Sequence, residues 1–216
     1  MSAWTDTILI GIVLTSFVLL GSSRIGTCIR VAALQGILLG LLTLATSAGP
    51  SLRAPLLALA SAGLKGVVFP WLLSRALRDA HVRREVEPFV GYNLSLLIGT
   101  AALAASLWLA ARLPRPNPEV SSLVVPVALF TILAGLVLIV SRLKALMQVV
   151  GYLVLENGIY AFGVGLVEET PMLVELGVLL DLLVAVFVMG IAVFHISREF
   201  DHIDTGQLTA LRDWPP

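Results

Sequence analysis

The chain has 216 residues, 58% of them hydrophobic and only 13% charged, with 14 basic and 14 acidic side chains and no net charge. That balance excludes the basic footprint of a nucleic-acid binder. A charged fraction so far below the usual ~25%, with mean hydropathy +0.97, excludes an ordinary soluble domain. One cysteine, Cys28, and the scattered His81, His195 and His202 exclude an internal disulfide, a zinc site or an iron–sulfur cluster held by this chain alone. No cofactor is expected here, and any redox chemistry must belong to a partner.

A spanning helix needs about 20 mainly apolar residues, and seven segments qualify. The first, at 5–21, lies in MSAWTDTILIGIVLTSFVLLGSSR, which lacks the basic n-region of a signal peptide and reads as a retained helix. A Ser-Arg corner leads into the second, 31–48, which carries Gln35. SAGPSLR separates it from the third, 55–74, which contains Lys65 and Pro70. The loop LSRALRDAHVRREVEP follows, then the fourth helix at 89–111. RLPRPNPE precedes the fifth, 120–141, with Pro126 near its start. The sixth, 146–167, holds Glu156, Asn157, Gly158, Gly163 and Gly165. After EETP the seventh, 171–195, carries Glu175, Asp181, Gly177, Gly190 and His195. The fold class is all-α: a polytopic transmembrane domain over 1–196 and a polar tail over 197–216.

The positive-inside rule sets the orientation. With the N-terminus out, the inner loops and tail hold ten basic residues: Arg24, Arg30, Arg75, Arg78, Arg83, Arg84, Arg142, Lys144, Arg198 and Arg212. The outer loops hold Arg53, Arg112 and Arg115. The expected topology is N-terminus out and C-terminus cytoplasmic. SSRIGTCIRVAALQGILLGLL and SRLKALMQVVGYLVLENGIYAF echo each other, so 1–78 and 120–196 are candidate parallel three-helix repeats of a kind transporters use.

Glu156, Asp181 and Lys65 each lie ten residues beyond the expected starts of their helices, at 146, 171 and 55. Three helices thus place an ionisable group at one depth. Glu175 lies nearer the outer face, His195 marks the cytoplasmic end, and Gln35 and Asn157 add groups able to hold water. Charges in hydrocarbon are costly, and where they persist they pair or line ion paths. A low dielectric penalises the charged form of any such group, which suits it to exchange protons. The functional reading is a relay of Glu156, Asp181, Lys65, Glu175 and His195. In the structural alternative, Lys65 merely neutralises Glu156 or Asp181 and joins helices, and Gln35 only bonds a neighbour. The glycines permit close helix approach, and Gly158 would also permit a π-bulge beside Glu156. Pro70 and Pro126 would kink their helices or remove a backbone bond. Trp71 and Trp108 suit interfacial or lipid-facing positions.

QVVGYLVLENGIYAFG, then ETPMLVELGVLLDLLVAVFVMGIAVFHISREFDHIDTGQLTALRD, resembles hydrogenase-4 component E, as does LKGVVFPWLLSRALRD. That family supplies a membrane subunit to formate hydrogenlyase-type and other group 4 nickel–iron hydrogenase complexes. Its last three helices are similar to the K-type subunit of complex I and the C-type subunit of multisubunit cation/proton antiporters. There, two carboxylates on adjacent helices join a central hydrophilic axis. The resemblance implies Glu156 as the first and Asp181 or Glu175 as the second, with Asp181 favoured by depth. Glu156 lies about a turn beyond the position that Gly151 as anchor implies, and Lys65 has no counterpart.

The resemblance implies a non-catalytic subunit in a prokaryotic cell membrane. Its partners would be antiporter-like and other membrane subunits, the lipid bilayer and, indirectly, a nickel–iron arm. It would contribute to proton or cation movement. The alternatives are a stand-alone carrier and an assembly scaffold.

Overall fold

The computed structural model describes residues 3–46, 56, 59, 62–79, 89–113 and 121–166. Their regular structure is helical: α1 Ala3–Gly21, α2 Ile25–Thr46, α3 Phe69–Asp79, α4 Tyr92–Ala110, α5 Val124–Ser141 and α6 Ala145–Leu166. Four of these, α1, α2, α4 and α5, are long and apolar enough to cross a membrane. The 22-residue α6 carries Gln148, Glu156 and Asn157 within an otherwise apolar run. The expected helix at 171–195 and the tail, with Glu175, Asp181 and His195, lie outside the described residues.

α2 begins at Ile25 rather than at residue 31. Ile25, Cys28 and Ile29 are buried in an apolar cluster, while the exposed Arg30 turns back and donates from Nε to the Gly26 carbonyl at 3.1 Å. α3 likewise runs on to Asp79, beyond the expected end at residue 74. Its far end is amphipathic: Leu73 is buried and Leu77 packs beside it, whereas Arg75 and Arg78 are exposed.

The α1–α2 hairpin lies against the α5–α6 hairpin, α1 on α5 and α2 on α6. Ser121 Oγ donates to Asp6 Oδ1 at 2.6 Å at one end, and Arg142 Nη2 donates to the Leu20 carbonyl at 2.6 Å at the other. α1 and α5 are therefore parallel. The pairs Gln35–Asn157 and Thr43–Tyr160 make α2 and α6 parallel too. α4 packs antiparallel to α1, Gly21 facing Leu96 and Gly99 facing Leu20. α3 packs antiparallel to α2, with Gly26 near Leu77 and Gly36 against Lys65. This alternation gathers Arg24, Arg30, Arg75, Arg78, Arg142 and Lys144 at one end of the bundle, and leaves Arg112 at the end that holds Asp6.

Glycine sets the tightest contact. A Cβ on Gly158 would lie 2.5 Å from the Ile132 nitrogen, and one on Gly151 would lie 2.9 Å from the Ile139 nitrogen. Gly135 on α5 faces the Leu155 backbone in the same way. α5 and α6 thus meet nearly backbone to backbone, as small residues allow in membranes. α6 is unbroken α-helix at Gly158, so that glycine serves close approach and no π-bulge. Gly163 has nothing within 4 Å of its added Cβ among the described residues.

The π-helical turn lies elsewhere, at Leu64–Val68, directly before α3. The Phe69 N–H reaches back five residues to the Leu64 carbonyl. Pro70 follows; it has no N–H to donate, and its ring would collide with the carbonyl four residues back in a regular α-turn. A wider turn relieves that collision. Pro126 is instead the third residue of α5, where its N–H would have no intrahelical partner, and it kinks nothing.

Arg142 departs furthest from its expected place among solvated topology charges. It is 1% exposed. Its guanidinium caps the last carbonyls of α1 through Leu20 and lies 4.5 Å from the Tyr92 ring centroid. A cation at a helix C-terminus is favoured by the helix dipole, so Arg142 ties α1, α4 and α5 together at the basic end. Trp71 and Trp108 are exposed, each beneath an arginine from the next turn, Arg75 and Arg112.

Candidate functional site

Two apolar clusters fill the bundle. One, toward the basic end, includes Ile25, Cys28, Ile29, Phe69, Leu73, Leu138, Met147 and Leu153. The other, toward the Asp6 end, includes Leu9, Ile12, Leu39, Leu42, Val127 and Ala161. Between them lies a polar layer contributed by α1, α2, α6 and the π-helical turn.

Its centre is the ion pair Lys65 Nζ–Glu156 Oε1 at 3.1 Å. Lys65 is 5% exposed and Glu156 3%. Lys65 reaches so deep because two glycines let α2 and the π-helical turn cross closely. A Cβ on Gly36 would lie 2.7 Å from Lys65 Cβ, and one on Gly66 would lie 2.7 Å from Ile37 Cγ1. On the other side, the Gly135, Gly151 and Gly158 contacts press α6 onto α5 and fix the rotation that turns Glu156 inward.

An amide chain runs beside the pair. Ser16 Oγ donates to the Ile12 carbonyl at 2.9 Å and accepts from Gln35 Nε2 at 2.9 Å. Gln35 Oε1 accepts from Asn157 Nδ2 at 3.2 Å. Gln35 therefore bonds both α1 and α6, more than a single neighbouring helix. Toward the Asp6 end, Lys65 Nζ lies 4.9 Å from the centroid of the Tyr160 ring, and the Tyr160 hydroxyl shares a 3.0 Å hydrogen bond with Thr43 Oγ1.

The layer is not closed on itself. Glu156 Oε2 and Asn157 Oδ1 are buried and have no hydrogen-bond partner among the described residues. Buried acceptors left unmet are costly, so each marks a point where water or a further polar group completes the layer. A narrow cavity with about 10 Å³ of water-sized room touches Lys65 and Asn157, and is otherwise lined by apolar side chains such as Ile29, Phe69 and Leu153. That is about the room one ordered water needs.

Of the expected site residues, Lys65, Glu156, Asn157 and Gln35 come together; Asp181, Glu175 and His195 lie outside the described residues. Sequence reasoning missed Ser16, Thr43 and Tyr160. Tyr160 had a readable signal: it stands four residues after Glu156, on the same helix face. No group of three or more His, Cys, Asp or Glu side chains assembles among the described residues. What the described residues bring together is a buried, paired charge flanked by amide and hydroxyl groups inside a helical membrane protein.

Comparison with known proteins adds three relatives. The chain is 33% identical over 205 residues to the uncharacterized protein Rv0085 of Mycobacterium tuberculosis, a match covering 94% of this chain and 93% of that one. It is 40% identical over 86 residues to hydrogenase-4 component E of Escherichia coli K12, and equally to that of Shigella flexneri, covering 40% of this chain and 40% of each relative. No protein-family model and no solved structure matches.

Proposed function

We propose a function from one premise that stands by itself: this chain belongs to the same family as the mycobacterial protein Rv0085. It is a membrane-arm subunit of a multisubunit hydrogenase complex, and its buried charges form part of a proton or cation path coupled to redox chemistry in partner subunits. The partial similarity to hydrogenase-4 component E supports the complex. The observation that carries the path is the buried Lys65–Glu156 pair, with Asn157 and Tyr160 beside it and with carboxylate capacity left over. In this reading the chain crosses a prokaryotic cell membrane seven times, N-terminus out and tail in the cytoplasm. Asp181 on the seventh helix, with Glu175 nearer the outer face and His195 at the inner end, extends the path. Antiporter-like membrane subunits flank it, and the metal centres belong to the peripheral arm.

The pair also favours a second reading. A lysine 3.1 Å from a glutamate neutralises it, and a scaffold that joins α3 to α6 needs no more. One experiment separates the two. The tagged chain is purified from native membranes with its partners, reconstituted into sealed vesicles, and assayed for hydrogen turnover and acidification together. In the path reading, the Glu156→Gln complexes that assemble keep turnover and lose acidification by a factor of about 10²–10⁴, the range a positioned proton-transfer group contributes. Assembled complexes that keep full acidification establish the scaffold. A chain that purifies alone and carries ions alone establishes the independent carrier.

A further inference from the structure

The polar layer is asymmetric about Glu156. One turn toward the Asp6 end on α6 stands Tyr160, half-buried, with its hydroxyl on Thr43. Thr43 lies within a turn of the end of α2, and Thr46 Oγ1 donates to the Thr43 carbonyl at 3.2 Å. Hydroxyl groups therefore continue from the ion pair to the last turn of α2. One turn toward the basic end stands Leu153, 6% exposed, among Ile29, Ala32, Phe69 and Leu73 of the larger apolar cluster. There, among the described residues, apolar side chains meet the pair on α2, α3 and α6 alike, and they enclose the cavity beside Lys65 and Asn157 that has room for about one water. Water and protons follow groups that can hydrogen-bond them, and beyond that single-water cavity the apolar cluster offers none among the described residues.

We infer that Tyr160 and Thr43 are the access branch of the Lys65–Glu156 centre, opening it to the Asp6 end of the bundle, while the cluster around Leu153 and Leu73 seals it from the basic end. The Tyr160 ring holds the Lys65 ammonium through its π face. Its hydroxyl is the first proton-carrying group beyond the pair. A proton held by the pair crosses intervening water to the Tyr160 hydroxyl as that hydroxyl gives its own proton to Thr43, and Thr43 gives its own to water. Each hydroxyl is neutral before and after. The inference rests on the reading of the pair as proton-exchanging, but access is measured without any hydrogenase activity.

Tyr160 and Leu153 lie about one turn on either side of Glu156, which makes them matched probes. In a Cys28→Ala background, Tyr160→Cys and Leu153→Cys are placed singly in the full chain in sealed vesicles. A charged, membrane-impermeant thiosulfonate is added to one face at a time. Tyr160→Cys is expected to react about tenfold or more faster than Leu153→Cys, as a wetted thiol does against a buried one, and only from the Asp6 face. Equal rates, or reaction of Leu153→Cys from the basic face, overturn the inference. Should Tyr160→Cys fail to insert, Thr43→Cys takes its place with the same expectation. Sided labelling together with undiminished acidification by Glu156→Gln would keep the access branch and sink the pumping role. A shielded Tyr160→Cys together with acidification lost in Glu156→Gln would do the reverse.

Discussion

The two faces of α6 are held in opposite ways. Toward α5 it presents Gly151 and Gly158, and the contact is close packing of backbone and small side chains. Toward α2 and the π-helical turn it presents Glu156, Asn157 and Tyr160, and the contact is charge and hydrogen bonding. The first face tolerates no added atoms. The second depends on matched charge. The glycine face acts as the fixed wall against which the polar face is held, so a carboxylate can sit in an apolar bundle at a defined depth and rotation.

The largest effect comes from leaving the polar face half charged. Lys65→Met should destabilise the protein by about 3–5 kcal/mol, since removing one partner of a buried pair strands the other. Adding Glu156→Leu should recover most of that loss, because a buried pair exchanged for apolar side chains of similar volume is often neutral or better. Thermal unfolding of the three variants in detergent measures both. A double variant no better than Lys65→Met would mean that Glu156 is held mainly by something other than Lys65.

The glycine face should fail differently. Gly158→Ala changes no charge, yet its methyl group would meet the Ile132 backbone at 2.5 Å. Overpacking of this kind costs about 1–3 kcal/mol, and no single apolar replacement of a neighbouring side chain should restore it, because the obstacle is main chain. If Ile132→Val rescues Gly158→Ala fully, the contact is softer than its geometry implies, and the contrast between the faces weakens.

Much of the polar face was legible in the sequence, because a lysine or glutamate is conspicuous in an apolar run. Lys65, Glu156, Asn157 and Gln35 stood out for that reason. That Lys65 meets Glu156 was only one of the pairings left open. In a membrane protein the lipid-facing and core-facing sides of a helix are both apolar, so hydrophobic periodicity does not reveal rotation. Rotation follows instead from which glycines meet a partner, and Gly158 and Gly163 look alike in the sequence. The same ambiguity hid Arg142, since an arginine at a helix corner reads as a topology charge whether it faces water or caps α1. The two prolines differ by position alone: Pro126 falls in a first turn, while Pro70 follows the turn it widens.

Gly163 gives the finest test of the comparison, with the smallest effect and the opposite sign. It shares α6 with Gly158, yet no atom among the described residues lies within 4 Å of an added Cβ. A glycine inside a helix is unfavourable for its conformational entropy alone, so where the backbone is helical and space is open, alanine stabilises by about 0.4–1 kcal/mol. Gly163→Ala should therefore raise the unfolding midpoint slightly, while Gly158→Ala lowers it. If both lower it, Gly163 is packed as tightly as Gly158, and the partner must come from outside the described residues. The next apolar segment in the sequence is the expected helix at 171–195. That outcome would extend the close-packed wall around α6 to a partner beyond the described residues, and the two glycines would then differ only in which neighbour they admit.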